Sequence, residues 1–360
     1  METDSCNKTI PTRYPQYDYM FEPLLRSIQV MQPDLDIFSA TDVISNVGNL
    51  RKLFDVIYNR SWGTERCDVD IRGNTLLLSR WNGDPNLALS LGCGSGFERE
   101  TCRYPPEEDP VLQRSLSHHR VLSYRFADLQ LVVQAEVDAY HCACNHTTPP
   151  PDLVPVTPVH VKRQSDPSPV PLGRRPGHRR TSSKSSARKS PSLQFAALAL
   201  DDPGDSPGFT PPCPTTSPSS TLRIHHTGRH IPAPCLIEIK TRNARSPALA
   251  TNEAQLYFSQ RRKLYLARHE QGLFTPGPEL SVEDMEQKLR EWEGDQQATL
   301  RKLAGLLRLV RDRVKVLRGQ GVERVSLVCE CDGTGSEQGV SVRLCERAEG
   351  EDGKLLPPVV

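Results

Sequence analysis

Two segments place acidic residues inside otherwise apolar, strand-like runs: Val132-Val-Gln-Ala-Glu-Val-Asp-Ala-Tyr140 and Cys235-Leu-Ile-Glu-Ile-Lys-Thr241. Side chains alternate along a strand, so Glu136 and Asp138 share one face while Val133, Ala135 and Val137 take the other. Likewise, Glu238 and Lys240 oppose Ile237 and Ile239. If the two strands are neighbours, three carboxylates and one ammonium converge, which is electrostatically costly unless divalent cations sit among them. Oxygen-only ligands suit Mg2+ or Mn2+. Such ions activate water and stabilise the attacking and leaving oxygens at phosphorus, with Lys240 positioning the nucleophile or neutralising charge. The chemistry is hydrolysis of a phosphodiester or pyrophosphate.

Either pair alone occurs often by chance and then reads as an exposed strand edge with ordinary charges. Their joint occurrence, each framed by β-branched residues, resembles the split active site of PD-(D/E)xK nucleases. Three further motifs make the resemblance narrower: Asp70-Ile-Arg-Gly with Arg72, Gly94-Ser-Gly-Phe-Glu with Glu98, and Gln255-Leu-Tyr-Phe opening a helix. In this order the five resemble the decapping exoribonuclease (DXO/Rai-type) family, over roughly Leu50 to Phe274. One departure is Ser95, where the family carries an aromatic.

The resemblance implies that Glu98, Glu136, Asp138 and Glu238 hold one or two Mg2+ or Mn2+ ions. It makes Glu238, Lys240 and Gln255 the catalytic set, with Arg72, Lys240 and Gln255 contacting substrate. The implied function is metal-dependent hydrolysis at RNA 5′ ends: removal of incomplete or non-standard caps, pyrophosphate release and 5′-to-3′ degradation. The alternative is a catalytically weak RNA- or partner-binding scaffold supporting a 5′-to-3′ exoribonuclease.

The elements that must position these residues can be read from periodicity. Phe21 to Met31 and Asn49 to Tyr58 predict short helices, and Cys67 to Trp81 and Val121 to Tyr140 predict strands. After these come a strand over Cys235 to Thr241, a helix over Thr251 to Arg262 and a strand over Leu264 to Arg268. Apolar residues from Leu289 to Leu317 recur mostly at three- and four-residue steps, predicting one long helix with Ser281 as N-cap and Gly319 as stop. Arg324 to Cys331 and Val340 to Glu346 predict a closing β-hairpin. The fold expected is α/β (α+β), a mixed central sheet flanked by helices, with the two acidic strands side by side at its cleft.

Residues 147–230 hold about half of the chain's 31 prolines and are rich in Ser, Thr and Arg. Such a segment cannot offset its chain entropy by burial, so it reads as a disordered insertion. It contains the basic tract Gly173-Arg-Arg-Pro-Gly-His-Arg-Arg, which suits nuclear localisation, RNA contact or a solvated linker. The insertion splits one nuclease-like domain into 1–146 and 231–348, followed by a flexible tail, 349–360. A net charge of +1 requires any RNA affinity to come from a local surface.

No run approaches the roughly 18 apolar residues of a membrane span, and the start lacks a secretion signal, so the expectation is an intracellular protein, nuclear or cytoplasmic, with no membrane partner. The 11 cysteines then read as reduced thiols. His141-Cys-Ala-Cys-Asn-His146 lacks the usual zinc spacing. Asp201-Asp-Pro-Gly-Asp matches a prenyl diphosphate synthase pattern, but Pro203 and Gly204 argue against the helix that pattern needs.

Overall fold

The computed structural model describes residues 19–58, 63–80, 93–104, 109–113, 115, 117–141, 224–227, 231–245, 253–274, 282–332 and 339–347. Helix α1 (Glu22–Met31) starts with Pro23 in its first turn, where proline's missing N–H costs nothing. The short α2 (Ile37–Ala40) is capped by Asp36, whose carboxylate accepts the Ser39 N–H. Strand β1 (Val43–Asn46) runs directly into α3 (Val47–Ile57), and the Asn46 side chain caps it by accepting the Asn49 N–H at 2.9 Å.

The predicted Cys67–Trp81 strand is a hairpin, β2 (Gly63–Arg72) and β3 (Thr75–Arg80). Its turn is Gly73-Asn74, where Gly73 adopts φ +58°. Next come α4 (Gly94–Thr101) and α5 (Pro110–Gln113), the hairpin β4 (His118–Phe126) and β5 (Leu129–Val137), and the two-residue β6 (Ala139–Tyr140). The second half has β7 (Leu236–Asn243), α6 (Glu253–Phe258), β8 (Lys263–Glu270), β9 (Leu273–Phe274) and β10 (Val282–Asp284). It ends with α7 (Glu286–Asp295), α8 (Gln297–Gly319) and the predicted hairpin β11 (Val325–Asp332) and β12 (Gly339–Glu346).

The α/β class holds, but one central sheet becomes two. The first is ordered β12-β11-β2-β3-β1-β5-β4 and is mixed, with β1 parallel to both β3 and β5. The second is ordered β10-β8-β7-β6, with β9 beside β8 and with β7 parallel to β8. The chain crosses between the sheets at Asp138, the residue between β5 and β6.

The apolar faces of α3 and α8 cover the first sheet through Leu50, Leu53, Phe54, Leu303, Leu307 and Val310, all buried. Phe54 joins three helices, its ring 6.2 Å from Phe258 of α6 and 5.2 Å from Trp292 of α7. The single long helix is corrected to two, broken at Gln296, and the first begins after Met285. Periodicity carried through the break although Leu289 of α7 packs with Leu256, Leu264 and Met285, because Trp292 joins the core that the α8 stripe from Leu300 to Val314 faces. Gly319 ends α8, while the left-handed turn falls at Gly321 (φ +89°), where Val322 N–H reaches the Leu317 carbonyl at 3.0 Å.

Of the expected insertion 147–230 only 224–227 are described, so the basic tract and Asp201–Asp205 lie outside the described residues, as do Ser281, residues 349–360 and the Ser95 side chain. Among the described residues no cysteine is joined in a disulfide, and no helix is long and apolar enough to cross a membrane.

Candidate active site

Glu238 sits one strand in from the edge of the second sheet and is 1% exposed. Three donors converge on its carboxylate. Lys240 Nζ, two residues along the same face of β7, donates to Oε1 at 2.5 Å, and Gln255 Nε2, from the first turn of α6, donates to the same oxygen. Arg261 donates to Oε2 and is itself only 3% exposed. The alternation argument is thereby met for Glu238 and Lys240: the polar face of β7 points into a cluster while Ile237 and Ile239 pack with Phe97.

Arg261 reaches Glu238 because of how α6 ends. Gln260 takes φ +53°, its N–H bonds the Tyr257 carbonyl at 3.1 Å, and Arg261 N–H bonds the Leu256 carbonyl at 2.9 Å. This pair of reversed bonds closes a helix with a left-handed residue, a place usually held by glycine. It turns the chain back toward Gln255, so two donors six residues apart serve one carboxylate.

Asp138 departs from the expected geometry. Strand β5 stops at Val137, and the Asp138 carboxylate accepts the Ile239 N–H at 2.8 Å, next to Glu238. The strands bearing Glu136 and Glu238 are therefore not paired neighbours in one sheet. Ala139 and Tyr140, immediately after Asp138, pair with Ile237 and Leu236 instead. Burial pushes the Asp138 carboxyl up, the charge of Glu238 adds to the shift, and the Ile239 N–H opposes it.

Glu98 enters from α4, which is docked by Phe97 against Tyr265 and Phe274, with ring centroids 5.8 and 4.6 Å away. Its carboxyl is pushed up to about 7, by burial first and then by the charges of Asp138 and Glu136, while Lys240 pulls it down. Glu136 is exposed at the end of β5, directly across from His119 of β4. The four carboxylates thus bear on one another from α4, β5, the Asp138 crossover and β7.

The set is all oxygen, and its mutual repulsion calls for positive charge, so its chemistry fits a hard divalent cation. Among the described residues, however, no three His, Cys, Asp or Glu side chains stand as ligands of one metal ion, and both Glu238 oxygens are engaged by nitrogen donors.

Arg72 is not brought to this place. It ends β2, opposite Thr75, with its guanidinium 4.9 Å from the centre of the Phe38 ring. Following the registers from Leu76 to Val43 to Leu131, Arg72 lies at the start of β5 whereas Glu136 lies near its end. At about 3.3 Å per residue that is on the order of 20 Å along the strands. A motif on a strand says nothing about which end of the sheet it occupies.

Sequence reasoning missed Arg261. It stands in the polar run Ser259-Gln-Arg-Arg262, which reads as a solvated loop, and nothing local marks one arginine as buried. The family model described as "Domain of unknown function (DUF8563)" matches residues 12–204 and 182–327. The chain belongs to this family.

No curated protein matches this chain by sequence. Among solved structures it is similar to S. pombe Rai1 in complex with 3'-FADP, at 11% identity and a TM-score of 0.48, covering 95% of this chain and 83% of that one. Scheffersomyces stipitis Rai1, solved with (3'-NADP)+ and a calcium ion, matches at 10% identity and a TM-score of 0.41, covering 91% and 74%. Candida albicans Rai1 in complex with pU5-Mn2+ matches at 10% and 0.40, covering 90% and 74%.

Proposed function

We propose that this chain is a divalent-cation-dependent hydrolase acting on RNA 5′ ends, removing incomplete or non-standard caps or pyrophosphate. The supporting observation is the assembly of Glu98, Glu136, Asp138, Glu238, Lys240 and Gln255, dispersed over more than 150 residues of sequence, into one carboxylate-rich cluster. Glu98, Glu136, Asp138 and Glu238 would hold Mg2+ or Mn2+, which when bound supplies an activated water and charge neutralisation at phosphorus.

The chain's own groups have separable tasks. Arg261 and Gln255 hold the Glu238 carboxylate in one orientation. Lys240, about a third exposed at its side chain, is the cation that meets a substrate phosphate oxygen as negative charge grows there. The Gln255 amide donates to Glu238, leaving its carbonyl oxygen to accept a hydrogen bond from the attacking water, whose proton is released to solvent. Glu98, pushed up to about 7 by burial and by the charges of Asp138 and Glu136, is a carboxylate that a bound cation would return to its ionised form. Hydrolysis joins the water oxygen to phosphorus and breaks the bond to the bridging oxygen, which leaves with the phosphate or nucleotide.

A second reading is favoured by the full engagement of Glu238 with nitrogen donors: a catalytically weak RNA- or partner-binding scaffold. One assay separates the two. Wild-type protein and Glu238→Gln are offered 5′-triphosphate, unmethylated-cap, NAD-capped and monophosphate RNAs with Mn2+ or Mg2+. Metal-dependent release of 5′ products by the wild type alone is expected. A folded wild type that binds RNA but turns over none of the four establishes the scaffold.

A further inference from the structure

The face of β7 that carries Glu238 and Lys240 continues past them. Side chains alternate along a strand, so Arg242 is the next residue on that face. The parallel register sets Arg242 directly beside Arg268 of β8, as it sets Glu238 beside Leu264 and Lys240 beside Leu266. Exposure rises along the same line: the Glu238 side chain is 1% exposed and that of Lys240 32%, Arg242 is half-buried, and Arg268 lies open to solvent.

Two guanidiniums side by side on adjacent strands, about 4.8 Å apart at the backbone, repel each other. The acids of this face already meet other cations. Glu238 accepts from both Lys240 and Arg261. Glu270, the acid farther along this face of β8, lies 3.9 Å from Arg245. Positive charge is therefore in excess along a row that leads outward from the buried carboxylate. Residues on one face of a strand recur about every 6.6 Å, a separation comparable to that of successive phosphates in an extended nucleic-acid strand.

We infer that Lys240, Arg242 and Arg268 form a track for the phosphodiester backbone of the RNA whose 5′ end is hydrolysed at the carboxylate cluster. The inference rests on the function proposed above and adds a preference for length. A single strand reaches both arginines, whereas a mononucleotide ends at Lys240. Contacts to backbone phosphate hold the strand without reading its bases.

The test uses the full chain. Binding of a fluorescent 5′-monophosphate single-stranded RNA decamer is followed by anisotropy over a salt series with Ca2+ present, for wild type, Arg242→Gln, Arg268→Gln and Arg268→Lys. Uridine 5′-monophosphate serves as the short ligand, in competition. Each Gln variant should bind the decamer about 3- to 10-fold more weakly at low salt and lower the slope of log K against log salt by about 0.7. Uridine 5′-monophosphate should bind these variants as it binds wild type. Arg268→Lys should restore decamer binding, because a charge is what the track supplies, and Tm should not fall when one of two facing cations is removed. An unchanged salt slope in the Gln variants overturns the track and leaves the hydrolase reading standing; so does an equal loss of decamer and mononucleotide. A wild type that binds no RNA overturns both. Arg268 is exposed, so its variants decide the matter even if Arg242→Gln fails to fold.

Discussion

The backbone N–H of Ile239 donates to the Asp138 carboxylate at 2.8 Å. One carboxylate therefore does what a ladder carbonyl would do, and it does so at the residue where the chain leaves the first sheet for the second. Asp138 is tied to the residue after Glu238, so the spacing of the two acids depends on a side-chain hydrogen bond.

Asp138→Asn keeps an acceptor for Ile239, and its unfolding free energy should stay within about 1 kcal/mol of wild type. Asp138→Ala strands that donor and should cost about 1–3 kcal/mol in urea denaturation. Both should weaken Mn2+ binding measured by calorimetry, since both remove the charge. Equal stability losses in the two variants would show that the bond does not hold the crossover.

Glu238→Ala would leave Arg261 buried without its carboxylate, a loss on the order of 3–5 kcal/mol, so this variant confounds folding with activity. Glu238→Gln keeps one oxygen acceptor but sets its amide N–H groups against the donors of the other oxygen, so it should lose less stability than Glu238→Ala. Measured below its thermal transition, turnover on RNA 5′ ends should drop about 100-fold or more.

The raised Glu98 carboxyl makes stability depend on pH. Its folded value of about 7 stands above the ordinary 4.5, so the folded state binds the proton more tightly. That contribution is complete below the ordinary value and is lost as pH rises through about 7. Without divalent cation, denaturation free energies should fall from about pH 5 to about pH 8. Glu98→Gln should flatten the profile, and saturating Mn2+ should offset the decline by favouring the ionised form.

Phe54 fills the junction of α3, α6 and α7 at 1% exposure. Phe54→Ala should lower stability by about 3–5 kcal/mol through the cavity it opens. Turnover per folded molecule should hold, measured below the variant's transition.

Much of the molecule was legible in the residues themselves. Helix α3, strands β7 and β8 and the β11–β12 hairpin follow from periodicity and turn residues, because a strand or helix reports its apolar face locally. Glu238 and Lys240 were also identifiable, since burying charged groups on an apolar strand is costly without partners, whereas Gln255 was marked only by the resemblance of its motif. The motifs singled out candidate residues, Arg72 among them, before any contact among them was known.

Tertiary structure alone decided the rest. Periodicity does not state which strand pairs with which, so the break at Asp138, the second sheet and the distance of Arg72 from the carboxylates could not be read from it. Nor could the role of Arg261, which follows a left-handed turn at Gln260 and the packing of Leu256 of α6 with Leu264 of β8. Residue types determine what a group can do. Its partners are determined by contacts between segments remote in the chain, where the desolvation and pairing of charge are settled.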